Sequence, residues 1–435
     1  MKKIIVSIAF ASIIIAGKAQ ETIYPSAKQT QPILITNGLV HVGNGQVLDK
    51  TSILIHDGKI TQVGTSVTAP AGAQTIDAGG KHIYPGLILT NSNLGLVEVN
   101  SVRATNDVQE IGTLNPGIRS LVAYNTDSKV TNTLRSQGIL LANIVPEGGA
   151  VSGSSSVVQL DAWNWEDAAY KIDNGIHINM PSFLRRPAGG RFARLGGDQP
   201  QVDPVKLALE QVDQIKSFLQ EAKAYAAETN HAETNLKFAV VKGLFNKSQK
   251  LFVHANTVKQ MLVALDFVKT FGVDMVIVGG TDSWQIADLL KQNNVAVIVS
   301  QPHNLPTLED DDVDQPYKTP AMLQKAGVLY AINDEDGQTR GRNLGYNAGT
   351  AATYGLTKEQ ALQAITLNAA KILGIADKTG SIEAGKDANL VISTGDILDM
   401  RTSIVTDAFI QGRKIVLDNK QKQLYERYKY KYNLK

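Results

Sequence analysis

The two ends of this chain share a texture that its middle lacks, and that asymmetry limits the folds open to it. Residues 31–84 read as short strands broken by tight turns, ILITNGLVHVG and then TSILIHDGKITQVG, with Asn37-Gly38 and Asp57-Gly58 as hairpin signals. Residues 380–418 repeat that pattern, whereas the stretch between alternates apolar runs with amphipathic segments, as βα units with buried parallel strands do. Two β-rich ends around an α/β middle are most simply one discontinuous β-sandwich with the middle inserted between its halves. Apolar runs at 83–90, 139–145, 250–254, 275–278, 295–300 and 327–332 are the strand candidates, and 205–227 reads as a long helix. The third and fourth strands have no clear signature. The Gly, Pro and Arg-rich stretch 185–200 reads as a surface insertion, its arginines either clamping an anion or simply solvated.

The first nineteen residues carry Lys2 and Lys3, an apolar stretch over 4–16 and a Gly17-Lys18-Ala19 ending that suits signal peptidase. That stretch falls short of the ~20 apolar residues a membrane span needs, and no later run qualifies. Residues 1–19 are therefore expected to be a signal peptide and the protein exported, to the periplasm. The chain has no cysteine, which excludes disulfide stapling, Cys nucleophiles and thiolate metal sites. Of the net charge of +2, Lys2, Lys3 and Lys18 account for more than the whole, so no basic groove remains for nucleic acid. The basic tail 419–435 spaces Tyr425, Tyr428 and Tyr432 as a helix would, and a short helix laying that edge on the body is expected. There is no GxSxG elbow, Walker A loop, HExxH or GxGxxG after a strand.

IYPGLILTNSNL over 83–94 resembles the opening barrel strand of the amidohydrolase superfamily, whose usual form is PGxIDxHxH. GTAATYGLTKEQALQAITLNAAKILGI over 349–375 looks like the family's last barrel helices, and GSIEAGKDANLVI from Gly380 like its return to a β-domain. The nearest texture is that of imidazolonepropionase-like secreted amidohydrolases. This resemblance implies an α/β fold: a (β/α)8 TIM-like barrel over 85–375, inserted in the β-sandwich formed by 31–84 and 380–418. It also implies hydrolysis of carbon-nitrogen bonds other than ordinary peptide bonds, on a small-molecule substrate. In that family His and carboxylate side chains at the C-terminal strand ends hold one or two divalent ions, which lower the pKa of a bound water toward ~7.

Measured against that scheme, the chain is depleted. Asn91 and Asn93 stand where the strand-one His pair belongs, and their neutral amide oxygens suit zinc poorly. They read either as a structural amide pair or as ligand contacts. His254 in KLFVHAN matches the strand-five His, and Asp334 in VLYAINDEDG the strand-eight Asp that would accept a proton from water. Gly279-Gly280 replaces the strand-six His, and Lys242 in AVVKGL is the best candidate for a strand-four bridging ligand. His303, beside the acidic run Glu309 to Asp314, and the Gly/Ser-rich segment 148–161 are expected to line the mouth. His254 and Asp334 together make at most one divalent ion, zinc or similar, the expected cofactor, whereas a catalytic zinc takes three protein ligands.

Two readings stay open: an exported C–N hydrolase with a reduced metal site built on His254 and Asp334, or an inactive descendant that binds a small molecule. The partners expected are a small molecule and either a second copy of the chain or an active amidohydrolase. N-terminal sequencing of protein recovered from the periplasm should begin at Gln20; an intact Met1 would overturn export.

Overall fold

The computed structural model describes residues 23–183, 203–335 and 340–434. The expected leader and the 185–200 insertion lie outside these. Five strands come from the N-terminal stretch, β1 (Ile33–His41), β2 (Val47–His56), β3 (Lys59–Gly64), β4 (Gln74–Asp77) and β5 (His82–Pro85). Eight form the middle: β6 (Leu87–Ser92), β7 (Ile139–Ile144), β8 (Val151–Gln159), β9 (Ala169–Asn179), β10 (Lys250–Ala255), β11 (Met275–Gly279), β12 (Ala296–Val299) and β13 (Tyr330–Ile332). The chain then returns through β14 (Leu390–Ser393), β15 (Val405–Ile410) and β16 (Arg413–Lys414).

The two ends build one β-domain, in the order β16-β15-β14-β5-β1-β2-β3 with β4 on β1. β14 joins the halves by pairing antiparallel with β5, from Leu390 opposite Pro85 to Ser393 opposite His82. Ile35, Ile53, Ile83, Leu390 and Phe409 bury a core common to both ends of the sequence. The run expected as one strand over 83–90 is divided at Gly86. β5 stays in the sandwich and β6 opens the barrel, and an added Cβ at Gly86 would lie 2.6 Å from Leu140 Cδ1.

The middle eight strands form the barrel sheet in the order β6 to β13. Side chains alternate across a strand, and the core divides accordingly. Ile88, Leu141, Phe252, Val276, Ile298 and Ala331 fill the lumen, where the helix Leu367–Leu373 packs against them. Their neighbours Leu89, Ala142, Val253, Ile277, Val297 and Ile332 face the outer helices. Lys171 and Lys250 anchor that helix by donating to its last carbonyls, at 3.0 Å to Gly374 and 2.7 Å to Ile372.

β8 runs antiparallel to both neighbours. A parallel crossover needs a dozen residues or more, and the link 145–150 is too short. β8 and β9 are the third and fourth strands that the sequence pattern hides, and most of the 148–161 segment expected at the mouth is a buried strand instead. The tail departs from expectation too: helix Lys420–Tyr432 buries none of its residues, and Tyr425, Tyr428 and Tyr432 are exposed.

Where β13 meets β6, one side chain bridges the gap. Asn333 Oδ1 accepts from Thr90 N at 3.0 Å and Asn91 N at 3.1 Å, and Asn333 Nδ2 donates to Asn91 O at 2.8 Å. The amide stands in for the missing ladder. Asn333 is fully buried, so removing it leaves buried backbone groups without partners, at about 1–3 kcal/mol each. Asn333→Ala should therefore lower stability by about 3 kcal/mol or more in equilibrium denaturant unfolding, whereas Ala at the exposed Asn100 should change it by under about 0.5 kcal/mol.

Candidate functional site

A cavity of about 440 Å³ opens at the C-terminal ends of the barrel strands, the end at which this architecture carries chemistry. Asn91 and Asn93 reach it from the end of β6, Asn179 from the end of β9, and His254 from β10. Glu147 enters from the turn between β7 and β8, and Glu335 from just beyond β13. The turn holds Gly148 and Gly149 at φ of 81° and 65°, a left-handed course open to glycine, and Asn179 Nδ2 ties it down by donating to Gly149 O at 2.9 Å.

His254 does not stand alone. Register sets Phe252 beside His177 and His254 beside Asn179, so both imidazoles point into the lumen. His177 Nδ1 lies 2.9 Å from His254 Nε2, and the His177 ring stacks on Phe252 at 4.8 Å. Burial lowers both: His254 to about 4, and His177 well below its ordinary value, with the neighbouring His254 adding to the effect. Both are neutral near pH 7. His177 Nε2 is buried without a partner, and an orphan lone pair is cheaper there than an orphan N–H. His177 is therefore assigned as the donor at Nδ1, and His254 accepts at Nε2.

Around this pair the wall is amide and carboxylate. Asn93 Nδ2 donates to Glu147 Oε1 at 3.1 Å, and Ser300 Oγ donates to Glu335 Oε1 at 2.7 Å. Burial, reinforced by the charge of Glu335, raises the Glu147 carboxyl above the ordinary glutamate range, and the Asn93 hydrogen bond opposes the shift. Asn91 Oδ1 and Asn93 Oδ1 are buried acceptors with no donor from the protein. At Gly279, φ is +98° and an added Cβ would lie 2.2 Å from Asn256 Oδ1, so a histidine cannot occupy the strand-six position while Asn256 keeps its place.

Of the expected site residues, Asn91, Asn93 and His254 share this cavity, whereas Asp334 and His303 do not line it. Asp334 is buried, accepts from Asn347 Nδ2 at 3.0 Å, and lines a second cavity of about 750 Å³ with His303. His303 Nε2 lies 3.0 Å from Thr350 Oγ1 there. Lys242 lies in the helix Lys242–Phe245, its ammonium 5.8 Å from the Tyr225 ring centre, and bridges nothing on strand four. In the acidic run, Asp312 and Asp314 pair with Lys318 at 3.0 and 2.7 Å.

The donor set does not fit the family's metal. Strand one offers neutral amides, strand six offers no side chain, and His254 Nε2 is committed to His177. Among the described residues no three His, Asp or Glu converge on a point that could hold an ion. The fold, by contrast, is matched closely. The model of the amidohydrolase family matches residues 210–415. Imidazolonepropionase from Mesorhizobium japonicum is 26% identical over 80% of this chain and 87% of its own length, and that of Deinococcus radiodurans 24% identical over 81% and 88%. The crystal structure of an amidohydrolase from Thermotoga maritima superposes with a TM-score of 0.75 at 26% identity, covering 88% of this chain and 99% of that one. These similarities and the architecture, a barrel with a β-sandwich domain, support placing the chain with the amidohydrolase superfamily.

Sequence reasoning passed over Glu147, His177, Asn179 and Glu335. The alternation in NGIHIN was the available signal for a strand placing His177 and Asn179 on one face; the PEGG turn was the signal for Glu147. The buried imidazole pair sets a pH dependence. An unfolded His takes up its proton near 6.5, so the stabilisation from His254 is complete above that pH and is lost as pH falls toward 4, with a limit on the order of 3 kcal/mol. Thermal midpoints measured from pH 7 to 4 should fall less steeply for a variant carrying both His177→Leu and His254→Leu. Equal slopes would contradict the assignment.

Proposed function

We propose that this protein is an exported member of the superfamily that binds a small molecule at its barrel mouth and lacks the family's metal-centred hydrolysis. The observation that carries this reading is the His177–His254 hydrogen bond, which commits Nε2 of the one retained strand-end histidine to a protein partner. Asn91, Asn93 and Gly279 support it, since each occupies a ligand position with a group that binds zinc weakly or not at all. The cavity of about 440 Å³ lies within the range of small-molecule sites. Export rests on the first nineteen residues.

A second reading keeps hydrolysis of carbon-nitrogen bonds, without an ion. It draws support from the similarity to imidazolonepropionases and from the two carboxylates, Glu147 and Glu335, that share the mouth. A carboxyl held above the ordinary glutamate range, as Glu147 is, can give a proton to a departing nitrogen.

Metal analysis with an activity screen separates the readings. Mature protein purified after exposure to zinc, manganese or iron should retain no stoichiometric metal after dialysis, should turn over no cyclic or acyclic amide, and should unfold at the same temperature with or without chelator. Stoichiometric metal and turnover that both disappear in His254→Ala would sink the binding reading. Turnover that survives chelator but is lost in Glu147→Gln would favour the second.

A further inference from the structure

The chemistry left over at the barrel mouth is one-sided. Among the described residues its wall carries two carboxylates, Glu147 and Glu335, and neither lysine nor arginine. Two of its four amides spend their donors on the protein itself: Asn93 Nδ2 on Glu147 at 3.1 Å, and Asn179 Nδ2 on Gly149 O and Ser152 Oγ, both at 2.9 Å. Turning the Asn93 amide over would set its oxygen against a carboxylate oxygen, so its orientation is fixed by charge. Acceptors without a protein donor remain, Oδ1 of Asn91 and of Asn93, with the carboxylate oxygens beside them.

We propose that this cavity takes a small aliphatic amine or guanidine, bound as a cation between Glu147 and Glu335. The inference rests on the binding reading above and names its ligand class. An ammonium or guanidinium group brings a positive charge and several N–H donors to a wall that offers two carboxylates as acceptors, and charge-assisted hydrogen bonds are the strong ones. Such a ligand also relieves the repulsion between Glu335 and Glu147 that helps to raise the latter. Val145, Pro146 and Val278 add apolar wall against which a hydrocarbon stem can lie. A bare divalent ion is the poorer match, because among the described residues no three His, Asp or Glu side chains converge on one point that could hold it.

The test is isothermal titration and thermal shift of the mature protein with putrescine, agmatine and arginine. Glutarate serves as an anionic probe of similar length, pentanediol as a neutral one, and calcium chloride as the ion alone. The cationic probes should bind and raise the unfolding temperature, with affinity falling as salt rises. Glu147→Gln, which keeps an oxygen for Asn93, and Glu335→Gln should each weaken binding by about tenfold or more. Asp399→Asn, at the second cavity, should leave it unchanged. Binding of glutarate, pentanediol or calcium in preference to the cations overturns the proposal, as does cation binding indifferent to both Glu variants or an absence of cation binding. Product analysis of the titrated samples separates the two readings. A cation that binds at this cavity and is hydrolysed sinks the non-hydrolytic function and leaves the ligand class standing, whereas a bound anion or neutral probe recovered intact sinks the ligand class alone.

Discussion

A sheet that closes on itself must satisfy the backbone along its last seam, and in this barrel that task falls to the side chain of Asn333. Between β13 and β6 no strand ladder forms; a single carboxamide reaches across and exchanges hydrogen bonds with the backbone of Thr90 and Asn91. Pinning Asn333 also sets the directions of the next two side chains. Successive side chains leave an extended chain on opposite sides, so Asp334 turns to Asn347 and the outer cavity while Glu335 turns to the mouth. The acid that a family comparison assigns to strand eight and the acid that meets the cavity are thus adjacent residues, both placed by the seam amide.

The second constraint is a length of chain. With the short link 145–150 between β7 and β8, the chain can only turn back, and β8 runs against its neighbours. Where a βα unit would leave the barrel for an outer helix, this hairpin instead puts a turn at the mouth. Glu147 lies at that turn, held by Asn93 on one side, with Asn179 fixing the following glycines. Strand reversal, loop conformation and site charge are one structural event. The acidity of the mouth is therefore built from backbone topology as much as from residue identity.

The sequence made the composite domain legible because turn signals and period-two patterns at both ends are local properties, and β14 on β5 is their direct outcome. The matched motifs likewise placed Asn91, Asn93 and His254 at one end of the barrel. β8 was unreadable for a physical reason. Its GSSS core lacks β-branched residues, and its serines are buried because strand neighbours take their hydrogen bonds, as when Ser155 Oγ donates to Asn174 Oδ1 at 2.9 Å. Partnering of that kind leaves no periodic trace. The same holds for His177 and for the exposed Tyr edge of the last helix, since a helical spacing of aromatics predicts a face and not what covers it.

The buried imidazoles show how such a site changes character without losing its fold. A strand-end histidine in a metal barrel is useful because one nitrogen stays open toward the ion, while the other is oriented by a second group. In this chain His254 gives Nε2 to His177, and His177 in turn stacks on Phe252, so the ring is tied into the lumen packing rather than held ready for an ion. Burial then removes the charge from both rings. With the imidazoles neutral and the strand-one positions amide, no positive side chain among the described residues of this cavity offsets Glu147 and Glu335. The charge at this mouth is therefore set by the turn that carries Glu147 and by the seam that aims Glu335, and not by the imidazoles.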